Sequence, residues 1–205
     1  MRKIIVYEFM SLDGVIQGPG GPNEDTSGNF TLGGWTATQW DDRMEQAMAA
    51  RMQKPFDLLL GRFTYDIWAP YWPVVKDGAI SGPFNRATKF VGTKTLKSGS
   101  WERTILLNSD TINQVAALKK EDGKDLHMYG SADFIQSLLN HGLIDELNLW
   151  IFPVVLGKGK KMFADETFSR NFKVTQHAMS KTGVMLTTYQ PDGEVPLGRA
   201  GETRQ

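Results

Sequence analysis

Gly130 and Ser131 close a short apolar run, Leu126 to Tyr129, and open a segment whose Phe134, Ile135, Leu138 and Leu139 share one helical face before Gly142. A strand, a tight turn and a helix in that order leave unpaired amides at the helix start, where an anion such as a diphosphate is favoured. Ser131 has the side chain of a helix cap, and Ala132, Asp133 and Phe134 follow it into the first turn. Alone the pattern is weak, because any such unit needs a glycine and a cap. Its weight comes from three further loops that carry the residue types a dinucleotide with an extra phosphate requires.

Gly61-Arg62-Phe63-Thr64-Tyr65 follows the apolar run Leu58 to Leu60, so a strand delivers a guanidinium and a hydroxyl to the start of a short helix. Phosphate recognition and a surface Arg beside an N-capping Thr both fit that motif. Thr93 and Lys94 repeat the arrangement after Phe90 to Gly92, either as the second wall of a dianion pocket or as a solvated turn. Asp13 and Gly14, in Ser11-Leu12-Asp13-Gly14-Val15-Ile16, lie where the first strand leaves its sheet. Asp13 either orients a substrate amine and relays a proton, or satisfies the amides of its own turn. Glu8 shares a strand face with Ile4, Val6 and Met10, so it either pairs at a cleft mouth or marks an exposed strand end.

The elements that would position these groups alternate between strand and helix patterns from start to finish, as in a layered α/β domain. Strands are expected at 3–10, 57–60, 88–92, 104–107, 126–129, 146–155, 172–178 and 183–189, the last two as an antiparallel hairpin. A long helix is expected from Thr38 to about Gln53, with Thr38 and Asp41 resembling a capping box and Lys54-Pro55 stopping it. Trp40, Met44, Ala47, Met48 and Met52 fall on its apolar face, Asp41 and Glu45 near its polar edge. Arg51 lies on the apolar face, where it must snorkel or meet a carboxylate. A further helix begins at Ser109 or Asp110.

Between the first strand and the Trp40 helix, Gln17 to Trp35 is rich in Gly, Pro, Asn and Thr, and loops of that length are commonly lids or binding loops. A substrate entrance is expected there. Trp35, with Trp40, Trp68, Tyr71 and Trp72, either stacks on a flat heterocycle or fills core and lid.

The 205 residues suffice for one domain with a full core, expected over 1–190, with 191–205 as a flexible tail. Lys and Arg number 23 and Asp and Glu 23, so no overall field argues for nucleic acid or an anionic membrane. The absence of cysteine excludes a thiolate nucleophile, disulfides and sulfur-ligated zinc; the three histidines form no metal or triad spacing. No stretch reaches the ~20 apolar residues of a membrane span. Met1-Arg2-Lys3 leads into too short an apolar run for a signal peptide, so a cytoplasmic location is expected.

GRFTY, the Thr93-Lys94 strand end, SLDGVI, and GSADF with GLIDELNLWIFPVVLGKGKKMF together resemble the dihydrofolate reductase fold, nearest the reductase-domain branch (RibD C-terminal) shared with riboflavin biosynthesis. The resemblance covers about residues 3 to 189. It implies a three-layer α/β/α fold with a mixed, mostly parallel eight-stranded sheet, NADPH as hydride donor, and a homodimer. It places Gly61, Arg62, Thr64, Thr93 and Lys94 on the adenosine-phosphate side and Gly130, Ser131, Ala132, Asp133 and Phe134 at the diphosphate. Gly14 and Ile16 would border the nicotinamide, Asp13 would act at the reacting end, and Glu8, Trp35 and Asp41 would face the substrate.

The zinc motif of the riboflavin deaminases is absent. Folate reductases put one acid on the pocket side of the first long helix, and Asp41 and Glu45 do not face cleanly inward. The expected function is therefore NADPH-dependent hydride transfer to a small heterocyclic or carbonyl compound, pterin-like or ribityl-pyrimidine-like. A non-catalytic dimeric NADP-binding or sensing module is the alternative.

Overall fold

The computed structural model describes residues 1–76, 78–163 and 169–199. Eight strands form one sheet: β1 (Ile4–Ser11), β2 (Asp57–Gly61), β3 (Lys89–Gly92), β4 (Thr104–Leu107), β5 (Leu126–Tyr129), β6 (Glu146–Phe152), β7 (Phe172–Met179) and β8 (Met185–Pro191). Their order is β4-β3-β2-β5-β1-β6-β8-β7. All neighbours pair in parallel except β8, which runs antiparallel to both β6 and β7. Strands covered on both faces read as continuous apolar runs, and Leu58, Leu59 and Leu60 of β2 are all fully buried.

The helices are α1 (Asp42–Gln53), α2 (Arg62–Tyr71), α3 (Ser81–Arg86), α4 (Thr111–Lys120) and α5 (Ala132–Asn140). On one face of the sheet Ile4, Val6, Leu126 and Met128 pack with Val115 and Leu118 of α4 and Ile135, Leu138 and Leu139 of α5. On the other, Leu58, Leu60, Val91 and Tyr129 pack with Tyr65 and Ala69 of α2 and Phe84 of α3. Met44 of α1 joins Trp150, Phe152, Val184 and Leu186 over β6 and β8. This is the expected three-layer arrangement.

Two expectations change. The cap of α1 is Asp41, whose carboxylate accepts the Met44 amide at 3.0 Å, while Thr38 lies in a separate single turn of 3-10 helix. β8 runs to Pro191 and Asn171 still pairs with Asp192 and Gly193, so the ordered chain passes the expected boundary at 190; 200–205 lie outside the described residues. β6 is an interior strand between β1 and β8, and its Trp150 is 2% exposed. Among the described residues no helix is long and apolar enough to cross a membrane.

Candidate functional site

The sheet opens between β2 and β5. Their ladder holds only Asp57 opposite Leu126 and Leu58 opposite His127, whereas β2 stays paired with β3 as far as Gly61 opposite Gly92. From β2 the chain turns away toward β3, and from β5 it crosses to β6 on the far side of β1. Such a switch point leaves a crevice beyond the carboxyl ends of the strands. The crevice here is a cleft of about 1620 Å³, above the ~300–1,000 Å³ usual for one small ligand. Its size suits a dinucleotide and a second molecule together.

Arg62, Thr64, Thr93, Lys94, Gly130, Ser131, Ala132, Asp133 and Phe134 all line it, with Gly61, Ile16 and Glu8. Ser131 stands at the N-cap position of α5, yet its φ is 64° and its hydroxyl caps nothing. That hydroxyl instead accepts the Gly61 amide at 2.9 Å and donates to Thr64 Oγ1 at 2.9 Å, bridging the open gap. The first-turn amides of α5 therefore keep no side-chain partner, the condition for an anion site. Close approach explains the glycines: a Cβ at Gly130 would meet Thr64 Oγ1 at 3.0 Å, at Gly61 Ser131 Oγ at 3.1 Å, and at Gly92 the Phe134 ring at 3.1 Å.

Arg62 is clamped by Asp66 at 2.7 Å and also donates to Thr95 Oγ1 at 3.1 Å, which holds it toward the end of β3. The Thr93 hydroxyl oxygen accepts the amides of Thr95 and Leu96, leaving its proton to donate outward. Lys94 is exposed and forms no ion pair among the described residues.

Asp13, Gly14, Trp35 and Asp41 do not line the cleft. The Asp13 carboxylate takes the Ser11 hydroxyl at 2.7 Å and the amides of Leu156 and Gly157 at 3.1 and 2.8 Å. Chiefly the Ser11 bond, with those amides, lowers its pKa to about 2, so it is a poor proton donor. Trp35 turns its ring onto Phe152 and donates Nε1 to the Gln17 carbonyl. Asp41 is occupied by the Met44 and Lys181 amides.

Glu8 is neither exposed nor paired. It is 4% exposed, lines the cleft, and its Oε1 has no hydrogen-bond partner among the described residues. Burial raises its pKa well above the usual glutamate value, the charge of Glu24 adds to this, and the Gly130 amide opposes it. Burial therefore favours the protonated carboxyl.

The 17–35 loop supplies cleft wall through residues 17–25. Gln17 is its hub: Nε2 donates to the Asp25 and Ser27 carbonyls, and Oε1 accepts the Lys160 amide. Lys160, unremarked in the sequence, pairs with Asp25 at 2.7 Å and lies 4.0 Å over the Phe63 ring, so it joins the loop to α2. Deeper in, Tyr7 stacks on Tyr129 at 5.3 Å, and Trp68, Trp72 and Phe84 extend the aromatic wall. Arg51 reaches this wall from α1. It meets no carboxylate among the described residues, and lies over Tyr7 at 4.4 Å and Trp150 at 4.2 Å.

A family model described as the RibD C-terminal domain matches residues 2–186. The chain belongs to the RibD C-terminal domain family. The chain is similar to the uncharacterized protein YyaP of Bacillus subtilis (strain 168), 29% identical over 196 residues, covering 94% of this chain and 96% of that one. Among solved structures, a protein of Shewanella sp. PV-4 provisionally assigned to riboflavin biosynthesis superposes with a TM-score of 0.71 at 23% identity, over 93% of this chain and 99% of that one. A dihydrofolate reductase of Enterococcus faecalis complexed with NADP(H) gives 0.61 at 13% identity, over 93% and 96%. At these identities the likeness is one of fold, and the fold is of the reductase type.

Proposed function

We propose that the protein is an NADPH-dependent reductase acting on a small conjugated heterocycle or carbonyl compound. One observation supports this above the others: cationic and amide groups from the ends of β2, β3 and β5 converge on a single cleft at the sheet's switch point. Arg62, Thr93 and Lys94 suit the extra phosphate of the adenosine half, and the Gly130–Ser131 turn with the amides of Ala132 and Asp133 suits the diphosphate. The glycines that a Cβ would force into Thr64, Ser131 or Phe134 keep that cradle open. When bound, NADPH supplies the hydride.

The chain's own residues bind, orient and protonate. Ile16, 5% exposed at the cleft wall, gives the nicotinamide an apolar neighbour, and Tyr7 and Tyr129 offer flat surface to a conjugated substrate. The proton that must accompany the hydride is assigned to Glu8, whose burial in the cleft favours the protonated form, in place of Asp13. Loss of NADPH absorbance that depends on an added conjugated carbonyl or heterocycle tests the reading. Tight NADPH binding with no turnover across such a panel would instead indicate a sensing module, and no NADPH binding would remove both.

A further inference from the structure

Among the described residues, Arg51 is the one strongly basic group in the aromatic part of the cleft, and none of its N–H donors has an acceptor. No ion pair or hydrogen bond joins it to any described residue; its contacts are the Tyr7 and Trp150 rings, and neither consumes an N–H. Ring contacts offset only part of the desolvation of a guanidinium. Burial lowers its pKa, to about 10, which leaves it charged at neutral pH. The acids lining the cleft are Glu8 beside the Gly130 turn, Glu24 and Asp25 in the loop, Asp66 clamped to Arg62, Asp110 at the cap of α4 and Asp133 in the first turn of α5, and none of them forms an ion pair with Arg51.

We propose that the substrate is a planar, conjugated acid whose carboxylate or ionised enol oxygen is held by Arg51, with its ring lying along Tyr7 and Tyr129. This deepens, and rests on, the reductase reading. The chemistry of the wall is one-sided. Arg51 can only donate, and the groups nearest it, Tyr7 and Tyr129, are phenols whose pKa burial raises, so they too remain neutral. An aminopyrimidine or pterin ring presents N–H donors, and a guanidinium, which has no acceptor, cannot meet them. A planar anion meets every demand: its oxygens accept from the guanidinium edge, and its ring takes the aromatic surface.

The test compares trans-cinnamate, its uncharged amide cinnamamide and 2,4-diaminopyrimidine as ligands by calorimetry, on the protein with and without NADPH. The expected result is cinnamate binding about tenfold or more tightly than cinnamamide, with the diaminopyrimidine no better than the amide. In Arg51→Met and Arg51→Gln the preference for cinnamate should fall to about twofold or less, and Arg51→Lys should restore part of it. The two neutral variants guard against misfolding, which the near-ultraviolet circular dichroism of the tryptophans reports. The inference is overturned if cinnamate shows no binding, if the amide or the diaminopyrimidine binds as tightly, or if a folded Arg51→Met keeps the preference. NADPH binding with no preference for the acid sinks this inference alone, whereas the preference without NADPH binding sinks the reductase reading alone.

Discussion

The Ser131 hydroxyl accepts the Gly61 amide at 2.9 Å, across a gap where β2 and β5 have already stopped pairing. That single bond ties the start of α5 to the end of β2 and sets the width of the crevice. Ser131→Ala leaves a part-buried amide unsatisfied, at a cost of about 1–3 kcal/mol. We expect a lower midpoint in urea and a matching loss of NADPH affinity. Gly130→Ala should act in the same direction, since φ is +58° and its Cβ would press on Thr64 Oγ1. Unchanged NADPH affinity in both variants would mean that the turn does not hold the diphosphate.

Arg62 and Lys94 are unequal partners for a phosphate. Arg62 already has Asp66, so removing it frees a carboxylate into the cleft as well as deleting a cation, whereas Lys94 has no ion-pair partner among the described residues to release. Lys94→Ala should weaken NADPH by roughly tenfold to a hundredfold, from ~1.5–3 kcal/mol of charge-assisted hydrogen bonding, and leave NADH nearly unchanged. Arg62→Ala should weaken both cofactors, NADPH more. Equal losses for NADPH and NADH in Lys94→Ala would place the extra phosphate elsewhere.

Asp13 is expected to matter for stability rather than for turnover. Its carboxylate fastens the strand exit at Ser11 to the amides of Leu156 and Gly157. Its folded pKa, about 2, lies below the ordinary 3.8, so this stabilisation is complete above 3.8 and is lost as pH falls toward 2. The melting temperature of Asp13→Asn should therefore lie below that of the natural protein at neutral pH, and the difference should shrink between pH 4 and pH 2. A variant with full stability but no turnover would return Asp13 to the chemistry.

The sequence made the sheet readable because interior strands are unbroken apolar runs: Leu58 to Leu60 and Leu126 to Tyr129 need no partner to be recognised. α3 was missed because Ser81-Gly82-Pro83 reads as a loop, and the start of α1 was misplaced because Thr38 and Asp41 are both capping residues three apart. The cationic strand ends were legible because each directly follows its strand. The roles of Asp13, Trp35 and Asp41 were not, since their partners lie at Gly157, Phe152 and Lys181, fixed only by the folded chain. Arg51 was noticed as an anomaly on an apolar face, but period alone cannot say that the face borders a cleft.

Glu8 gives the sharpest pH signature. Its folded pKa is raised well above 4.5 by burial, so the fold holds this proton more tightly than the unfolded chain does. The resulting stability is complete below about 4.5 and is lost as pH rises through the folded value. Glu8→Gln carries no proton to lose, so its melting temperature should gain on that of the natural protein as pH climbs above 4.5 and through the folded value. If Glu8 is also the acid of the reaction, turnover of the natural protein falls over the same upper range, and Glu8→Gln loses about a hundredfold or more at neutral pH. Because Glu24 faces Glu8 and its own pKa is raised chiefly by burial, Glu24→Gln is the necessary control. It should move the pH at which the fall occurs downward, by removing a repelling charge, while preserving the rate on the acid side. Full turnover by Glu8→Gln with a flat pH profile would assign the proton to water, even if the melting temperatures behave as expected.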